Sequence, residues 1–337
     1  LLILLLKEFV TYNPGYHGPE RCWHFARSSD RSIRRRILML VKTVAILSPG
    51  DMGHAVGKVL GKSGLDVITC LAGRSQRTFD LAEAGNFRIV GSMEKLVKEA
   101  DLILSILVPD KAKSLAEEVA DTLRLTGENT YFADCNAVSP DSAKEIATII
   151  NESGGRYIDG GIIGSAPTKG DTTRFYVSGP DAHVVAELNG RGIIVKAIGD
   201  KVGQASGIKM CYAALTKGTN TLQVALLTAA QKMGLIEALR EEFSYSQQSH
   251  LSSMERGIPR LPANSHRWIG EMEEISATFE ALGVTPYFHM GAAEMYKLLN
   301  STPFAKETPE TIDSDRTVWE TIRVASELIK EPKKEGI

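Results

Sequence analysis

The 337-residue chain has few features that would mark a specialised class of protein. Its four cysteines (Cys22, Cys70, Cys135 and Cys211) are scattered, with no C-x-x-C pair and no paired histidines. That excludes a disulfide framework and a zinc knuckle, so no metal site is expected and a reducing, cytoplasmic compartment fits best. Charge of one sign is also missing: the net charge is -2, which gives no footprint for a nucleic-acid partner. The one conspicuous apolar run, LLILLL at the start, is far short of the roughly 20 residues that span a bilayer. A secretory signal would carry its positive charge before such a run. Here Arg34-Arg35-Arg36 follow it, so no membrane partner is expected. Residues 1–38 hold seven Lys/Arg against three Asp/Glu and read as a poorly ordered extension, with Met39 as the functional start.

What is present is ordinary globular composition, 43% apolar and 24% charged, in a chain long enough for two domains. The informative stretch is TVAILSPGDMGHAVG, Thr43 to Gly57. A buried-strand run breaks at Ser48-Pro49-Gly50, and a helix is expected from about Asp51. Strand, glycine turn and helix in that order suit a dinucleotide: Gly50 lets the backbone approach a pyrophosphate, and Gly53 lets the helix pack on the strand. Ser48 stands where the first glycine of G-x-G-x-x-G is expected, and the bland alternative is a tight turn.

From Thr43 onward, apolar runs at 66–71, 102–108, 131–134, 156–159, 175–178 and 192–198 alternate with helix-like segments at 52–64, 76–85, 112–125 and 139–153. This alternation predicts an α/β Rossmann-type, doubly wound parallel sheet over residues 39–199. Beyond Gly199 the alternation stops. A long helix over 203–233 and helices near 237–248, 267–282, 286–300 and 315–331 predict an all-α C-terminal domain, 200–337. After the second strand, where an acid would bind the ribose of NAD, the chain reads LAGRSQRT. Arg74 and Arg77 offer guanidinium forks, and Ser75 and Thr78 offer hydroxyls, to a 2′-phosphate; NADP is therefore expected ahead of NAD.

With these motifs in order, the chain from Thr43 to Lys217 resembles the β-hydroxyacid dehydrogenase and 6-phosphogluconate dehydrogenase superfamily. SPGDMG (Ser48, Pro49, Gly50, Asp51, Met52 and Gly53) is similar to its G-x-G-x-M-G turn. SILVPD is similar to the loop under the nicotinamide, which puts Leu107, Val108 and Pro109 near the ring. DCNAVSP resembles D-x-S-T-x-x-P, and YIDGGIIGSAP occupies the place of the substrate motif D-A-P-V-S-G-G. GQASGIKMCYAALTKG resembles the catalytic-lysine segment. The resemblance implies Lys209 as general acid/base, with Asn136 and the Gly160–Ser165 loop (Gly160, Gly161, Ile163, Gly164) holding the substrate and Tyr212 replacing a family asparagine. At about 100° per residue, Lys209, Tyr212, Thr216 and Asn220 share a stripe that could wall the site, while Lys217 lies about 80° away. His250, Arg256, Arg260, His266 and Arg267 are candidates for an anionic substrate, though solvated surface explains most of them. His54 is expected to pack, and Cys135 and Cys211 to act as small fillers.

The implied activity is NADP-dependent interconversion of a hydroxyl and a carbonyl on a small polar, 3-hydroxy acid-like substrate, with decarboxylation open as a sequel. Imine reduction and a non-catalytic NADPH sensor are the alternatives, and the lysine argues against the first. Excess apolar surface on the helical half, together with the resemblance, predicts a homodimer through that half.

Overall fold

Strand β1 (Thr43–Leu47) is the middle of the molecule because its side chains have no wet face to go to. Val44 and Ile46 enter the apolar layer on one side of the sheet, and Ala45 and Leu47 enter the layer on the other. A computed structural model describes residues 41–167, 173–308 and 310–330. The proposed extension 1–38 and the tail after 330 lie outside these residues.

Around β1 run α1 (Asp51–Lys62), β2 (Asp66–Cys70), α2 (Gln76–Ala84), β3 (Arg88–Val90), α3 (Met93–Glu99) and β4 (Leu102–Ser105). The chain continues through α4 (Ala112–Thr126), β5 (Tyr131–Asp134), α5 (Pro140–Glu152), β6 (Arg156–Ile163), β7 (Arg174–Ser178), α6 (Ala182–Ala186) and β8 (Ile194–Gly199). The eight strands lie in the order β3-β2-β1-β4-β5-β6-β7-β8. All neighbours pair in parallel except β6 and β7, where Gly161 faces Tyr176 in an antiparallel register. The sheet is thus mostly parallel, not wholly so as the alternation predicts.

Two further departures have local causes. Strand β3 is three residues long with two of them exposed, too short to show a period. Strand β6 runs on through Gly160 and Gly161 to Ile163, where a loop is expected.

The helical half consists of α7 (Gln204–Lys232), α8 (Ile236–Ser246), α9 (Gln248–Gly257), α10 (Pro262–Ala281), α11 (Tyr287–Asn300) and α12 (Val318–Glu327). These elements share a third apolar core that includes Met210, Leu227, Met254, Tyr296 and Ile322. Helix α7 begins packed on the sheet and ends among the helices, and the described residues form one compact unit. Among the described residues no helix is long and apolar enough to cross a membrane.

The strand order reverses between β1 and β4, which both leave their carboxyl ends at the same edge. In open α/β sheets that crevice is where ligands bind.

Candidate active site

At the reversal point, β1 turns into α1 through Ser48, whose φ is +62°. This left-handed backbone is what a glycine would adopt without strain, so the position explains itself: the turn needs φ above zero, and serine bears a small penalty for it. Gly50 opens the N-terminus of α1, and a Cβ built there would meet only Ser48 O, at 4.0 Å, so its face is free for a ligand. A Cβ at Gly53 would lie 3.3 Å from Ile46 Cγ2, the close helix–strand packing that the motif implies. His54 Nδ1 lies 3.0 Å from Gly50 O and belongs to the turn.

A cleft of about 420 Å³ opens above this turn. Its walls hold Ser48, Gly50, Asp51, Met52, Gly53, Arg74, Arg77, Leu107 and Val108, nine of the residues singled out for a cofactor. Four do not reach it. Pro49 is buried in the turn. Ser75 caps α2, its Oγ accepting from Thr78 N and lying 3.1 Å from Thr78 Oγ1. Pro109 starts a short 3₁₀ turn after β4. Four cationic side chains (Arg74, Arg77, Lys111, Arg267) and two carboxylates (Asp51, Glu307) line the cleft, a balance that favours an anion. Asp51 is itself neutralised: Arg77 donates to it at 2.5 Å and Arg267 at 3.4 Å. Arg77 also reaches Glu310 at 3.0 Å, whereas Arg74 has no acidic partner among the described residues. The turn, the open glycine face and the cationic rim fit a dinucleotide diphosphate.

The floor beside the cleft is set by Asn136. Its Oδ1 accepts from Leu107 N at 2.6 Å, and its Nδ2 donates to Ser105 Oγ at 2.9 Å and to Asp134 Oδ1 at 2.5 Å. Asn136 is buried and its amide is committed to these three partners, so it fixes the Leu107 loop, where the resemblance implies a substrate-holding role. Burial pushes the Asp134 carboxyl up to about 7.

The glycines of β6 are likewise packing residues. A Cβ at Gly160 would meet Asp134 O at 2.8 Å, and one at Gly161 would meet Ala205 O and Lys209 Cβ, each at 2.9 Å. Helix α7 therefore lies directly on bare backbone. Ile163 is buried, and Gly164 turns the chain with φ +107°.

Lys209, in the second turn of α7, donates from Nζ to Ile162 O at 2.9 Å and lies 3.6 Å from Glu271 Oε1. Lys217 donates to Glu271 Oε2 and lies 5.7 Å from the Trp268 ring centroid. Burial pulls the Lys217 ammonium down to about 8, opposed by Glu271 and reinforced by Lys209. Burial also works against ionisation of Glu271, but Lys217 and Lys209 outweigh it and hold the carboxyl below its ordinary range. Along the predicted stripe, Tyr212 is 44% exposed and Thr216 bonds back to Tyr212 O, while the polar partners of Lys209 are Ile162 O and Glu271.

Of the anion candidates, His266 and Arg267 line the cleft, and Arg256 and Arg260 border a separate polar pocket. His250 is exposed, as is Cys211, while Cys135 is a buried filler. Helix α10 joins the two parts of the site: Ala263, Asn264, His266 and Arg267 face the cleft, and one turn on Trp268 and Glu271 face the lysines. Glu271 could not be found from sequence, because it is one of three glutamates in Glu271-Met272-Glu273-Glu274 with nothing local to single it out.

Residues 43–204 match the NAD binding domain of 6-phosphogluconate dehydrogenase, and residues 230–299 match a domain of unknown function, DUF1932. An uncharacterised 28.5 kDa protein of Methanothermus fervidus is 30% identical over 180 residues, which is 53% of this chain and 68% of that protein. The mitochondrial 3-hydroxyisobutyrate dehydrogenase of Drosophila melanogaster is 25% identical over 199 residues, 58% of each chain. A solved protein of unknown function, described as structurally similar to 3-hydroxyacid dehydrogenases, is 26% identical; the match covers 76% of this chain and 96% of that one, with a TM-score of 0.56. The Mycobacterium tuberculosis 3-hydroxyisobutyrate dehydrogenase shares the fold at 18% identity, covering 84% of this chain and 98% of its own, with a TM-score of 0.60.

Proposed function

This chain belongs to the family that joins the NAD binding domain of 6-phosphogluconate dehydrogenase to a DUF1932 domain, and on that premise we propose that it is an NADP(H)-dependent oxidoreductase. It interconverts a hydroxyl and a carbonyl on a small polar substrate of the 3-hydroxy acid kind, with loss of carbon dioxide from a 3-oxo acid as a further step. Residues 39–199 serve as the cofactor domain and 200–337 as the substrate and dimerisation domain. The observation that carries the reading is Lys209, held on Ile162 O at the carboxyl end of β6, one helix away from the dinucleotide cleft.

When bound, the nicotinamide supplies hydride chemistry. The chain's own part is to hold that ring over Leu107 and Val108, to anchor the diphosphate on the turn from Ser48 to Gly53, and to move one proton. Lys209 does the last: its amine takes the proton of the substrate hydroxyl in oxidation and returns it to the carbonyl oxygen in reduction. The Ile162 carbonyl and the Glu271 carboxylate orient Nζ for this transfer.

Arg74 is the proposed reader of the 2′-phosphate, because Arg77 is already shared between Asp51 and Glu310. Arg74→Ala is expected to weaken NADPH about 10-fold or more, from the ~1.5–3 kcal/mol of a charge-assisted hydrogen bond. NADH binding should barely change. Titration of both cofactors by fluorescence checks this, and an unaltered NADPH affinity would reassign the 2′-phosphate contact.

The second copy of a homodimer is proposed to cover the outer face of α7 and α11, where Leu215, Leu222, Tyr287 and Phe288 are 65–77% exposed. An exposed apolar row of that size is costly in water. Sedimentation at micromolar concentration is expected to give twice the chain mass, and a single-chain mass would sink the assignment.

A further inference from the structure

The segment 230–299 has no assigned role, yet it supplies the only carboxylate, among the described residues, that pairs with Lys209. Glu271 on α10 is 4% exposed and stands between two amines of α7, with Oε2 on Lys217 and Oε1 facing Lys209. Oε1 is buried and has no hydrogen-bond partner. A buried carboxylate oxygen without a donor is costly to maintain, and a site that uses it for part of a cycle explains its retention.

We propose that the DUF1932 segment completes the active centre: Glu271 and Lys217 are positioning residues that orient Lys209 and set the proton balance of the amine pair. The proposal rests on Lys209 as the acid/base group. Two lysines share one carboxylate, so the cluster carries one surplus proton that no counter-ion holds. Every charged neighbour bears on where that proton sits. Lys209 faces Lys217 from α7, Glu271 and Arg267 face it from α10, and Tyr296 approaches from α11, donating to Lys217 O at 3.3 Å, with His289 of the same helix beside Gly218. Burial of Lys217 makes the surplus proton labile just above neutrality. The free Oε1 gives Lys209 a second acceptor when it leaves Ile162 O for the substrate.

A plain structural staple is the competing account, since buried ion pairs can serve packing alone. It predicts a loss of stability and a lower Lys217 midpoint, with no change in kcat or in the pH dependence of turnover of the folded protein. The test uses the full chain, labelled with ¹³C and ¹⁵N lysine, and 3-hydroxyisobutyrate with NADP⁺ as the turnover probe. Lys217 Nζ should titrate near 8 in the wild type. In Glu271→Gln its midpoint should fall, because the anion that favours the ammonium is gone. The kcat should drop roughly 10- to 100-fold, a share of what acid–base groups supply, with the KM for NADP⁺ within about twofold. Glu271→Asp should recover part of the kcat. Lys217→Met should abolish the pH dependence near 8 while NADPH still binds. If Glu271→Gln does not fold, replacing the pair together (Lys217→Met with Glu271→Leu) removes both charges without orphaning either, and the same kcat loss is expected. An unmoved Lys217 midpoint, or a wild-type pH profile in Glu271→Gln, overturns the proposal. A shifted midpoint in a protein that oxidises no 3-hydroxy acid shows only that Glu271 holds the Lys217 charge, and it overturns the acid–base reading of Lys209 instead.

Discussion

Lys209→Met is expected to lower kcat by roughly 10²–10⁴-fold, the range removed when a positioned acid/base group is lost. The affinity for NADPH should stay within about twofold, because an interaction that lives only in the transition state does not contribute to cofactor binding. The geometry supports this separation. Nζ of Lys209 bonds to Ile162 O and faces Glu271, whereas the cleft is walled by the Ser48–Gly53 turn, Arg74, Arg77, the Leu107 loop and the start of α10. Methionine follows the lysine chain as far as Cε, with sulfur in place of one methylene, and lacks the amine. Glu271 keeps Lys217 as its partner in the variant, so no buried carboxylate is left alone. Single-turnover reduction followed at the nicotinamide absorbance, beside equilibrium NADPH titration, makes the comparison. Wild-type turnover in Lys209→Met would move the acid/base role elsewhere, and a matched loss of NADPH binding would make Lys209 a cofactor residue.

How far the sequence goes can be seen residue by residue. The cofactor half is legible because its physics is local. A run of apolar residues buried on both faces, a turn with one forced positive φ at Ser48, and a helix starting at Asp51 all follow one another in the chain. Helix α7 is legible for the same reason and runs from Gln204 to Lys232. The substrate side is less legible because its signals are not local. Gly160 and Gly161 resemble a substrate loop, yet they continue β6 and leave room for Ala205 and Lys209 of a helix some 45 residues on. Asn136 resembles a substrate ligand until its amide is found spent on Leu107, Ser105 and Asp134. Tyr212 and Lys217 could both be placed on α7 by counting, but which of them faces Lys209's partners depends on where α10 lies. Glu271 is reached only through tertiary contact.

Asp159 shows the same point from the side of stability, and its loss is expected to have the largest effect on folding. The residue is 0% exposed at the middle of β6. Its Oδ2 accepts from the backbone N–H groups of Gly203 (2.8 Å), Ala205 (2.9 Å) and Ser206 (3.2 Å), and from Ser178 Oγ at 2.7 Å; its Oδ1 accepts from Ser206 Oγ at 2.5 Å. These amides open α7 and would otherwise lack intrahelical partners, and the positive helix end adds to the attraction. Helix α7 has no side-chain cap of its own, so a strand residue some 44 positions earlier does that work. Asp159→Ala would leave the N–H groups of Gly203 and Ser206 and two serine hydroxyls without this acceptor, while Ala205 N keeps Ser178 Oγ at 3.0 Å. At ~1–3 kcal/mol for each buried group left without a partner, a destabilisation on the order of 3–5 kcal/mol is expected after local relaxation. Urea unfolding should show it as a lower midpoint at unchanged slope. Asp159→Asn keeps one acceptor oxygen and should fall between the two. The consequence reaches the chemistry, because Lys209 sits one turn past these amides on the same helix. A start of α7 that lifts from β6 carries Nζ away from Ile162 O, so kcat should fall in the folded fraction as well. A loss below about 1 kcal/mol, the value of an ordinary exposed helix cap, would mean that α7 is seated by its apolar contacts and not by Asp159.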